Sequence, residues 1–74
     1  MDSVAICRVN LELAQLELKF ATGTLANYRQ AGAAIPGYDM RRAEYDVERL
    51  KLEVQLAEIR LQEASLPHSP HQDG

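Results

Sequence analysis

Seventy-four residues with 8 basic and 11 acidic side chains, a net charge of −3 and a single cysteine make one small domain at most, with no internal disulfide to staple it. The charges are interspersed, so the basic stripe that nucleic acid needs is missing, and no apolar run approaches the length of a membrane span. No Cys/His cluster points to a structural zinc, which leaves oligomerisation as the usual remedy for so small a core.

At the start of the chain Asp2 stands where a signal peptide would carry positive charge, and Arg8 cuts the apolar stretch Val4 to Cys7. The expected location is therefore cytoplasmic if the chain is full-length. Asp2 and Ser3 are N-cap candidates, so helix one is expected over about 3–31. Along it Val4, Cys7, Leu11, Ala14, Leu18, Ala21, Leu25 and Tyr28 recur at steps of three and four, which is a coiled-coil seam. Gly23 interrupts the good helix formers and either admits a close neighbour or is a tolerated weakness.

Breakers then cluster. Gly32 suits a left-handed C-cap, Pro36 suits the first turn of a following helix, and Asp39 suits that helix's dipole. The turn is expected over 32–36 and helix two over about 37–66. Its seam is Met40, Ala43, Val47, Leu50, Val54, Ala57, Leu61 and Ala64. Pro67 follows, and the polar segment 67–74 is expected to be a disordered tail.

So short a turn forces the helices antiparallel. Counting outward from it pairs Tyr28 with Met40, Leu25 with Ala43, Ala21 with Val47 and Leu18 with Leu50, and so on to Val4 with Ala64. The residue numbers of every pair have the same sum. Most pairs set Ala or Cys against a larger side chain, which lets helices approach without voids. Leu18 and Leu50 should meet at mid-height, both fully buried. The expected fold class is all-α: an antiparallel two-helix coiled-coil hairpin over 1–66, dimerising into a four-helix bundle.

The dimer expectation rests on a second apolar stripe. Helix one carries Ile6, Val9, Leu13, Leu16 and Phe20 off its seam, and helix two carries Leu52, Leu56, Ile59 and Leu66. In helix one the stripe stops at Gly23 and Asn27. In helix two Arg42 and Arg49 precede it, with only Tyr38 and Tyr45 interrupting that polarity. Both stripes fall at the open end, which is therefore expected to carry a second apolar face. A periodic exposed patch of this kind marks an interface. The expected self-association residues are Ile6, Val9, Leu13, Leu16, Phe20, Leu52, Leu56 and Ile59, and the expected partner is a second copy or another helical protein.

Candidate chemistry is thin. Cys7 lies on the seam and reads as a buried thiol acting as a small hydrophobe. His68, His71 and Asp73 on the tail would bind metal only adventitiously. A di-metal centre in a bundle needs inward Glu and a Glu-x-x-His pair, and neither helix holds a histidine. Glu12, Glu17, Glu44, Asp46, Glu48, Glu53, Glu58 and Glu63 read as solvated, with Glu48 and Glu53 neutralising Arg49. No catalytic residue, metal site or cofactor is expected, and the chain is read as a non-catalytic structural module. Near the turn Arg29, Tyr38, Arg41 and Arg42 form a candidate partner-docking tip, because arginine and aromatic residues are what interface hot spots favour.

The stretch from Leu11 to Ala64, with its alanine-rich heptads, Gly32, Asp39 and Ala43, resembles the α-helical hairpin of periplasmic adaptor (membrane-fusion) proteins. With Tyr28 ahead of Gly32 it also resembles the hairpins of outer-membrane efflux channel proteins. The chain departs from both in having Pro36-Gly37 in the turn and no lipoyl or β-barrel segment. The resemblance implies tip-to-tip docking of an excised hairpin, a periplasmic location, and Arg29, Arg41 or Arg42 as contacts.

Overall fold

The computed structural model describes residues 2–67. It is an antiparallel hairpin of two long helices, α1 (Ser3–Ala31) and α2 (Gly37–Ser65), joined by a single 3₁₀ turn over Gly32–Ala34. The hairpin is slender, with principal extents of 60 × 19 × 14 Å. The expected tail beyond Pro67 lies outside the described residues.

Local chemistry sets the ends. The Asp2 carboxylate accepts a hydrogen bond from the Val4 N–H at 3.0 Å, satisfying one of the orphan donors of the first turn of α1. At the other end Gly32 has φ 57° and ψ −120°, and its N–H donates to the Tyr28 carbonyl. The positive φ was expected, but the ψ is not that of a left-handed helix. The pair of angles matches the first central position of a mirror-image type II turn, a conformation that favours glycine. Ile35 N–H then donates to the Gly32 carbonyl at 3.0 Å and closes the following 3₁₀ turn through Ala33 and Ala34. Pro36 sits at the N-cap of α2 rather than inside its first turn, and its carbonyl accepts from Met40 at 3.1 Å. Asp39 occupies the first turn, as the helix dipole favours.

A Cβ on Gly32 would meet nothing within 4 Å, so a substitution there is penalised by backbone angle and not by a clash. Gly32→Ala should therefore lower stability by about 1–2 kcal/mol. A thermal melt followed by circular dichroism at fixed concentration reads this, and an unchanged midpoint would show that the turn conformation is not required.

The seam is where the chain is dry. All sixteen seam positions are buried or half-buried, and the only other described residues not exposed are Thr24, Ile35 and Asp46. Ala21, Leu25, Ala43, Val47 and Leu50 form the core cluster, with Leu18, Tyr28 and Met40 packed against it. These are the pairs expected nearest the turn. One expectation fails in part: Leu50 is 5% exposed, but Leu18 is only half-buried. A lone pair of helices covers each seam side chain from one direction. Leu18 faces Leu50 and keeps a flank in water. The whole core is thin, since four of its seven buried side chains are alanines: Ala14, Ala21, Ala43 and Ala57.

Candidate functional site

The second stripe is fully present and uncovered. Ile6, Val9, Leu13, Leu16 and Phe20 are 42%, 61%, 53%, 63% and 78% exposed, and Leu52, Leu56 and Ile59 are 64%, 45% and 51%. Each residue advances about 100° around an α-helix, which places these side chains about 130–170° from the seam of their own helix. Val9 and Leu16 on α1 and Leu52 and Ile59 on α2 lie on the outer sides, facing away from one another, while Ile6, Leu13, Phe20 and Leu56 are turned toward one side of the hairpin. Part of the expected shared face is therefore present: Leu13 and Leu56 border one groove between the helices, whereas Val9, Leu16, Leu52 and Ile59, about 170° from the seam, lie on the outer sides. Sequence spacing gives the period of a stripe, and its direction emerges only once both helices are fixed by the seam.

The positions flanking the seam are polar. They include Arg8, Gln15, Asn10 and Glu17 on α1 and Lys51, Glu53, Glu58 and Arg60 on α2. Leu13 and Leu56 border one shallow groove between the helices, whose floor is Ala14 and Ala57. Leu16 and Phe20 border the next groove toward the tip, across from Asp46 and Arg49.

One alignment was missed in the sequence. Tyr38, Tyr45, Leu52, Ile59 and Leu66 follow one another at seven-residue steps, and all are 51–67% exposed. Residues seven apart share a helix face, so α2 carries an outer apolar line along its full length. The two tyrosines continue the stripe; they do not merely interrupt a polar face. The seven-residue step was the signal available.

At the tip Arg29, Tyr38, Arg41 and Arg42 are all exposed, around the turn as expected. Two of the arginines are engaged. Arg29 lies 3.6 Å from Glu44 across the helices, and Arg42 donates to Asp46 at 3.3 Å while its guanidinium sits 5.7 Å from the Tyr45 ring. Arg41 forms no ion pair among the described residues. Arg49 pairs with Glu53 at 2.7 Å, as expected, whereas Glu48 pairs with Lys51 at 3.1 Å and not with Arg49. Adjacent helical residues point about 100° apart, so the i, i+3 partner wins. Exposed pairs of this kind contribute about 0.2–1 kcal/mol each.

Cys7 is half-buried on the seam rather than fully enclosed, because the seam is thin toward the open end. Among the described residues no group of three or more His, Cys, Asp or Glu could hold a metal ion, and no helix is long and apolar enough to cross a membrane. His68, His71 and Asp73 lie outside the described residues. No family model matches the chain, and no curated protein or solved structure matches it.

Proposed function

We propose that this chain is a non-catalytic structural module whose role is protein association, first of all with copies of itself. The observation that carries the reading is the contrast in exposure along its two helices. The lone hairpin buries seven side chains, mostly alanines, while eight larger apolar side chains of the second stripe stand at least 42% exposed. Burial of apolar surface is the main term available to a chain this small. A hairpin that left Phe20, Leu16 and Leu52 in water would forgo it. Mass measurement in solution across a concentration series tests the proposal. A homo-oligomer that dissociates on dilution is expected, and a monomer at all concentrations would overturn it.

A second reading is favoured by the exposure of Tyr38 and Arg41 beside the turn: the hairpin of an adaptor or channel assembly, docking its tip onto another helical protein. The two readings use different ends and respond differently to salt. Apolar burial is insensitive to screening, whereas contacts through exposed arginines weaken as ionic strength rises. Replacing Arg29, Arg41 and Arg42 together by Ala should leave the oligomer unchanged and shift stability by no more than about 1 kcal/mol. Sedimentation in low and high salt checks this. Dissolution of the oligomer by these changes would place the self-contact at the tip.

A further inference from the structure

We infer that copies of this hairpin associate side by side at equal height, the outer face of α1 in one copy packing on the outer face of α2 in the next. The inference rests on the self-association proposed above and adds its geometry. A four-helix bundle with a common core would need the second stripe on the positions flanking the seam. On the side where Leu13 and Leu56 border the groove, those positions hold Asn10, Glu17, Glu53 and Arg60, which such a core would have to bury. Val9 and Leu16 on α1, and Leu52 and Ile59 on α2, lie instead on the outer sides, one exposed line on each helix.

Neighbouring hairpins that point the same way bring α1 of one beside α2 of the next in antiparallel order, just as within one chain. The register of the seam then carries over unchanged. At equal height Val9 faces Ile59, Leu16 faces Leu52, and Gly23 faces Tyr45. The last pair is the most specific. Gly23 leaves open space on the outer side of α1, where a Cβ would meet nothing within 4 Å, in a depression bordered by Phe20 and Asn27. Tyr45 is 57% exposed at the same height on α2. A large side chain stands opposite a gap, the same large-against-small rule that governs the seam. Charge agrees as well, since Lys19 falls beside Glu48 and no pair of like charges is brought face to face along this line.

The contact is heterologous: each copy offers an α1 face on one side and an α2 face on the other. Such contacts propagate until they close into a ring. The assembly is therefore larger than a dimer.

Crosslinking decides the geometry. In a Cys7→Ala background, Leu16→Cys chains are mixed with Leu52→Cys chains and exposed to oxidised glutathione. Within one chain these two positions lie on opposite outer sides of the hairpin, out of reach of a disulfide. The expected product is a bridge between the two kinds of chain, in excess over like-with-like bridges, and the doubly substituted chain should give a ladder of covalent oligomers. Like-with-like bridges alone would overturn the inference in favour of a two-fold contact. An oligomer by mass with no bridge of either kind would overturn it too, placing the contact elsewhere. A monomer by mass, for wild type and variants alike, would instead sink the self-association reading itself. Gly23→Ala gives an independent check without cysteine. Alanine improves an exposed helix, so helicity at low concentration should rise, while filling the gap should weaken association about tenfold. Unchanged association in that variant would count against the Gly23–Tyr45 contact.

Discussion

Replacing Leu50 by alanine should cost about 2–5 kcal/mol, the largest loss that a single truncation can cause in this hairpin. Leu50 is the least exposed side chain of the core, at 5%, and sits in the cluster formed with Ala21, Leu25, Ala43 and Val47. Its alanine neighbours cannot collapse into the space it leaves. A chain this small has only a few kcal/mol of stability in total. The variant should therefore lose most of its helical signal at concentrations where the parent is folded. Leu18→Ala is a calibrated companion: the site is half open, so part of the transfer term is already absent and the loss should be smaller. Urea melts followed by circular dichroism at matched concentration give both values. The reverse order, with Leu18→Ala the more damaging, would mean that the seam is centred elsewhere. Concentration must be held fixed, because an assembly that binds only the folded hairpin raises its apparent stability by mass action.

The hairpin itself was legible in the sequence for a simple reason. Steps of three and four fix which residues share a face, and the cluster Gly32 to Gly37 can only be a break, so both helices fall within a residue of their expected bounds. Asp2 as cap and Asp39 in the first turn of α2 follow from short-range chemistry that needs no tertiary context. Three features were out of reach because they depend on how one element faces another. The ψ of Gly32 is set by the closure of the turn, and glycine permits several solutions. The open flank of Leu18 follows from having two helices around a seam instead of four. The division of the second stripe between the groove, where Leu13 and Leu56 sit, and the outer sides, where Leu16 and Leu52 sit, requires both helices to be placed before it can be read. Tyr45 is a different case: its line with Leu52 and Ile59 was countable, but a tyrosine among arginines reads as tip and not as stripe.

Leu16→Glu combined with Leu56→Glu should abolish the oligomer, weakening association more than a hundredfold, because each buried and unpaired carboxylate costs about 3 kcal/mol or more. The effect on the isolated hairpin is the opposite extreme. Both side chains already face water there, at 63% and 45% exposure, so no cavity opens and no charge is buried within the chain. Glutamate is also a good helix former. The variant thus separates two contributions that Leu50→Ala cannot, since losing the seam unfolds the chain and dissolves the oligomer together. If α1 and α2 fold unaided, the double variant should be a helical monomer. If the thin alanine core needs its neighbours, it should be an unfolded monomer whose helicity no longer rises with concentration. Both outcomes leave the second stripe as the association surface. Sedimentation equilibrium with circular dichroism on the same samples distinguishes them. A double variant that kept the parent's mass and helicity would remove the second stripe from the interface, and with it the case for association through apolar burial.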